Sequence, residues 1–139
     1  MEKNKYRVSL RILDFDFDPE EITFFTGVLP SKIWRKGDLL HPNAKTAIIK
    51  QNGWEVSPDV GQHEIFNDQV EALMSKIKPF LQKLIDVSKD YYTELSCVLY
   101  LYYNEDEECR PTPSISFNSE TVEILSKLKA NIDIDLYVL

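Results

Sequence analysis

The stretch YRVSLRIL, which begins at Tyr6, constrains the fold more than any other part of the chain. Tyr6, Val8, Leu10 and Ile12 alternate with Arg7, Ser9 and Arg11. Side chains of a strand point to opposite faces in turn, so this spacing describes a half-buried strand with one apolar and one polar face. The next segment, DPEEITFFTG, has the punctuation of a helix. Asp18 stands as N-cap, Pro19 fits the first helical position, Glu21 completes a capping box and Gly27 supplies the left-handed stop.

Further along, KTAIIKQNGWEVSP holds two extended pieces, Thr46 to Lys50 and Trp54 to Ser57, with the turn-favouring pair Asn52-Gly53 between them, which predicts a hairpin. From Glu64 to Lys89 the apolar residues recur every three or four positions. That is one long amphipathic helix, which Pro79 should kink near Ile77 and Lys78. TELSCVLYLYY reads as a strand with Leu95, Cys97, Leu99 and Leu101 on one face, NEDEE as a loop, and PSISF as a short strand. NSETVEILSKLKAN reads as a helix stopped by Asn131, and IDIDLYVL as a strand with Ile132, Ile134, Leu136 and Val138 inward. The order suggests an α+β fold: a ferredoxin-like antiparallel sheet made of a duplicated strand-helix-strand unit, helices on one face, and the long helix inserted between the halves. In that arrangement the first strand lies between TELSCVLYLYY and IDIDLYVL. Arg7 and Arg11 then stand near Glu94, Asp133 and Asp135, beside Tyr100, Tyr102 and Tyr137.

The bulk numbers narrow the function. With 139 residues, 43% of them hydrophobic and 28% charged, residues 1–139 make one domain able to bury a core without staples. A net charge of -7 argues against nucleic acid, whose phosphates need cations, and favours a basic protein partner. No leader-like or membrane-spanning apolar run is present in the sequence, so the expected location is the cytoplasm. Cys97 and Cys109 have no metal or disulfide spacing, and Cys97 reads as a core residue. His41 and His63 lack neighbouring ligands in sequence. The phosphate-loop, nucleophile-elbow and zinc-helix motifs do not occur, and no cofactor or metal is expected. DFDFD starts like a calcium loop, but Pro19 replaces the turn glycine and Phe25 the closing glutamate.

VLPSKIWRKGD, Val28 to Asp38, has two competing readings. As a structural clamp, its indole seals the end of a sheet-and-helix layer. As a ligand loop, Trp34 and Trp54 form the walls of a pocket in which Lys32, Arg35 or Lys36 holds an anion. The tyrosine-bearing sheet face, with Arg7 and Arg11, has its own pair of readings: a solvated, salt-bridged face or a docking platform.

Several of these residues also carry a resemblance. Ile22 through Gly27, then Pro30, Trp34, Lys36 and Gly37, then Gly53-Trp54 and the terminal IDIDLY, resemble the bacterial family known as domain of unknown function 4279, over Tyr6 to Tyr137. Thr26 stands where that pattern leads us to expect leucine. The resemblance implies no catalytic residues. By analogy with other small acidic bacterial proteins, it implies a candidate immunity partner that masks a basic toxin domain. The leading expectation is therefore a non-enzymatic protein-binding module. A small-ligand binder or enzyme at Trp34 and Trp54, and a self-associating domain that dimerises through the sheet face, are the alternatives.

Overall fold

The computed structural model describes residues 3–102 and 113–139. In chain order the elements are β1 (Lys5–Leu13), α1 (Glu20–Thr26), β2 (Lys32–Trp34), β3 (Gly53–Val56), α2 (Phe66–Ile77), a 3-10 turn (Lys78–Phe80), α3 (Leu81–Ser88), β4 (Tyr92–Leu101), α4 (Ser119–Lys127) and β5 (Asn131–Val138). The five strands form one sheet in the order β2-β3-β1-β4-β5. Every neighbouring pair is antiparallel except β4 and β5, which run parallel. The fold is α+β, but the arrangement of strands departs from the expected one. β1 lies between β3 and β4, and β4 takes the place beside β5. The connections explain this. β1-α1-β2 is split by β3, whereas β4-α4-β5 closes directly on its neighbour, as a parallel strand-helix-strand unit does.

The local signals around α1 act in part as read: Pro19 rather than Asp18 stands at the N-cap, and among the described residues Glu21 closes no capping box. Asp18 Oδ1 accepts the N–H of Glu20 at 2.9 Å, and Gly27 takes φ 80° while its N–H bonds the carbonyl of Thr23. Thr26 has a reason to replace an apolar residue: it is buried, donates its hydroxyl to the Ile22 carbonyl at 2.7 Å and accepts the Val28 N–H at 3.2 Å. The predicted break in the long helix falls at the 3-10 turn that contains Pro79.

Three local expectations need correction beside the strand order. Asn52-Gly53 does not turn a hairpin: β3 pairs with β2, and Thr46 to Lys50 contributes only an isolated bridge, Leu39 to Ile48. The Asn52 side chain is instead a staple, donating to the carbonyls of Phe15 and Phe17 and accepting the Lys36 N–H at 2.8 Å. PSISF forms no strand: Ser116 is held by the Asn67 side chain instead. Asn131 opens β5, and the left-handed residue after α4 is Lys129, at φ 52°. Asn118 caps the start of α4 by accepting the Thr121 N–H at 2.8 Å. The NEDEE loop and Cys109 lie outside the described residues.

The core lies on one side of the sheet. Tyr6, Val8, Leu10 and Ile12 of β1 meet Leu95, Cys97 and Leu99 of β4, Trp54 and Val56 of β3, and the apolar faces of the helices. β5 is not part of it. Ile132, Ile134, Leu136 and Val138 are in register with the core-facing residues of β4, yet they are 43%, 47%, 58% and 67% exposed. The expectation that they are buried inward is overturned, because no helix spreads far enough to cover the last strand. Among the described residues, no helix is long and apolar enough to cross a membrane.

Candidate functional site

Among the described residues the other face of the sheet carries no helix, and its strand registers arrange it in rows. Trp34, Gly53, Leu13 and Tyr92 make one row, and Lys32, Glu55, Arg11, Glu94 and Asn131 the next. Ser9, Ser96 and Asp133 follow, then Arg7, Val98 and Asp135, and finally Lys5, Tyr100 and Tyr137.

The Arg11 row is the most tightly bonded. Arg11 Nε donates to Glu55 Oε1 at 2.7 Å, Ser9 Oγ donates to the same oxygen at 2.8 Å, and the Arg11 guanidinium lies 3.9 Å from Glu94. Tyr92 donates its hydroxyl to Glu94 Oε2 at 3.0 Å. That bond, then partial desolvation and the charges of Glu94 and Asp133, push the phenol above its usual range. Two groups of aromatics and cations flank this row. The Arg11 and Lys32 charges each lie 5.7 Å from the Trp34 ring. At the far end, Tyr100 and Tyr137 stack at 5.3 Å, with Lys5 at 4.9 Å and Arg7 at 5.5 Å from the Tyr100 ring.

The expected residues therefore separate. Arg7, Arg11, Trp34, Tyr100 and Tyr137 share this open face. Arg11 meets Glu94 as expected, but Arg7 forms no ion pair with Asp133 or Asp135 among the described residues, since β4 stands between β1 and β5. Tyr102 follows β4, half-buried, with its N–H donated to Asn4 Oδ1 at 3.0 Å. Lys36 is exposed and tied by its backbone to Asn52.

Among the described residues, Trp34 and Trp54 do not face a common cavity. The Trp34 indole lies on Gly53, in the space that a Cβ there would occupy, on the open face. Trp54, the next residue of β3, points the other way. It is 0% exposed, and its Nε1–H donates to Thr23 Oγ1 at 3.1 Å. The cation beside Trp34 is also accounted for: Arg35 makes two bonds to Asp18, at 2.9 and 3.1 Å, and lies 3.6 Å from Glu20. The motif thus ties the end of β2 to the start of α1.

What sequence reasoning missed is the cleft beyond β3. Residues Ser57 to Gln62 leave the sheet and, with Arg7, Ser9 and Lys32, bound a cavity of about 350 Å³. Alternation within GWEV already places Glu55 on the face opposite Trp54, so its partnership with Arg11 was readable once β3 was located. The departure of the chain at Pro58 was not. Cys97 faces the helices, where burial pushes its thiol up to about 12. Among the described residues, no group of three or more His, Cys, Asp and Glu side chains is placed to hold a metal ion.

The Trp34-Gly53 contact explains why a glycine precedes Trp54 in β3. A family model, Domain of unknown function (DUF4279), matches residues 4–139. The chain belongs to the DUF4279 family. No curated protein and no solved structure matches it. Within DUF4279, the geometry gives the quoted residues definite structural tasks: Gly27 ends α1, Trp34 covers Gly53, and Trp54 fills the core.

Proposed function

We propose that this chain is a non-enzymatic protein-binding module whose contact surface is β5 together with the adjoining tyrosine stack. One observation carries the reading: β5 is an eight-residue edge strand with every residue exposed. A strand of that length presents unpaired backbone groups, and proteins ordinarily shorten, bend or cover such an edge. The faces of β5 define the partner. Its core-side face is Ile132, Ile134, Leu136 and Val138, and its open face carries Asp133, Asp135 and Tyr137. An added strand that alternates apolar residues with lysine or arginine complements both, by strand addition at an exposed edge. The net charge of -7 supports the same choice. An immunity protein masking a basic toxin domain is one instance of this class.

Self-association along β5 is the weaker alternative. Two antiparallel copies centred on Ile134 place Asp133 opposite the partner's Asp135, a like-charge pair that opposes pairing. The test is capture of a basic partner from the native host by the tagged chain and by its Ile134→Lys and Asp133→Lys variants. Asp133 is exposed and Ile134 about half exposed, so both variants should stay folded, with Asp133→Lys near the parent and Ile134→Lys losing about 1 kcal/mol. Loss of the partner in both variants supports the reading. Undiminished capture by both, or a concentration-dependent dimer that Ile134→Lys abolishes, overturns it.

A further inference from the structure

The cleft beyond the end of β3 runs over the open face of β1 as far as Ser96 and Val98 of β4, and we infer that it binds a small ligand carrying a carboxylate next to an amide. Charge is the first reason. Three cations, Arg7, Arg11 and Lys32, line the cleft against one carboxylate, Glu55, a local surplus of positive charge in a chain of net charge -7. Arg11 is committed to Glu55. Arg7 and Lys32 are not: among the described residues they form no ion pair, and their charges rest on the faces of Tyr100 and Trp34. Two such cations facing one concavity recognise an anionic oxygen pair.

Unpaired main chain is the second reason. Along β1 the even-numbered residues direct their N–H and C=O groups toward the β3 side. Tyr6 N–H reaches the Gln62 carbonyl at 2.8 Å, Asp14 N–H reaches Asn52 at 2.9 Å, and Leu10 pairs with Val56. Val8 faces the same way, but the residue that would oppose it is Pro58, which has no N–H, and β3 has already ended at Val56. Val8 lines the cleft. Its N–H and C=O have no backbone partner on this side among the described residues, and a ligand amide supplies an acceptor and a donor in matching order.

The third reason is that the wall is fixed before any ligand arrives. Ser57 is held by both of its main-chain polar groups, its N–H by Ser31 Oγ at 2.9 Å and its carbonyl by Lys76 Nζ at 2.8 Å. The Gln62 carbonyl takes a second bond from buried Gln69 Nε2 at 3.1 Å. A cavity of about 350 Å³ with a preformed wall and a few convergent polar groups is within the range of small-ligand sites.

The test is an amide-resolved NMR titration of the whole chain with the dipeptide N-acetylalanylglutamate. Two probes run beside it: N-acetylalanylglutamine amide, which keeps the amides without the carboxylates, and inorganic phosphate, which keeps charge without an amide. Saturable shifts centred on Arg7, Val8 and Ser9 with the first probe, at least about tenfold tighter than with either of the others, are expected from a charge-assisted contact plus an amide pair. Arg7→Gln and Lys32→Gln, both exposed, should each weaken binding about tenfold while the amide spectrum stays that of the folded chain. No saturable shift, phosphate or the neutral dipeptide binding as tightly as the acid, or variants that bind like the parent, overturns the inference. None of these outcomes depends on β5.

Discussion

Replacing Gly53 by alanine isolates the contact on which the tryptophan motif rests. The new methyl group would overlap the indole of Trp34 at Cε2, Cζ2 and Nε1, the body of a ring and not the tip of a flexible chain. The backbone at Gly53 is not left-handed, so in an empty site the substitution would stabilise by about 0.4–1 kcal/mol through the unfolded chain. Here the overlap must be relieved. Either β2 shifts away from β3, at an overpacking cost of about 1–3 kcal/mol, or the indole swings into solvent. The second course forfeits its packing and its contacts with Arg11 and Lys32, worth about 0.5–1 kcal/mol each. The net expectation is destabilisation by about 1–2 kcal/mol. Urea melts followed by circular dichroism resolve that as a midpoint lowered by roughly 0.5–1 M, for a slope of about 2 kcal/mol/M. In a Trp34→Ala background the same Gly53→Ala change should be neutral or stabilising by up to about 1 kcal/mol, giving a coupling near 2 kcal/mol. Equal destabilisation with and without Trp34 would refute the argument, because the penalty could not then come from the indole.

Trp54→Ala should cost about 3–5 kcal/mol, since it removes a side chain buried among β1, β3 and α1 and leaves the Thr23 hydroxyl without its donor; a loss under 1 kcal/mol in a urea melt would contradict the placement. Asp18 is held below the usual carboxylate range by the Arg35 guanidinium first and the Glu20 N–H second. Its folded pKa is depressed, so its contribution to stability is fully present above the unfolded pKa and is lost as pH falls through the folded one. Asp18→Asn should therefore flatten the acid limb of a stability-against-pH curve, and an unchanged limb would rule the linkage out. Cys97, with its thiol pushed up to about 12 by burial, should stay unlabelled by a thiol reagent at pH 8 in a Cys109→Ser background and react on addition of denaturant; labelling of the native chain would disprove its burial.

The sequence announced what depends on near neighbours and concealed what depends on distant ones. The alternation of β1, the stop at Gly27 and the break at Pro79 are all determined within a few residues, and each is found where the pattern puts it. Asn52-Gly53 shows the opposite case. The pair has a strong local preference for a turn, but Gly53 is needed bare under Trp34, and Asn52 is occupied by Phe15, Phe17 and Lys36. Those partners are 16 to 37 residues away in the chain, beyond the reach of any window. The cleft was hidden for the same reason: it exists because β3 stops opposite Leu10 and Pro58 cannot continue the ladder along Val8.

The two ends of the chain show how far a period can be trusted. YRVSLRIL and IDIDLYVL have the same alternation, and both place their apolar residues on the helix side. In β1 those residues are almost wholly buried, and in β5 they are about half exposed. Period determines which face a side chain takes, whereas burial depends on whether another layer reaches that far. The difference lies in topology: β4-α4-β5 adds its last strand at the outer edge, while β1 has a strand on either side and helices above it. An apolar alternation that the chain's own helices leave bare is the pattern that strand addition requires. The property that looked most like core in the sequence is therefore what makes β5 the contact surface proposed here.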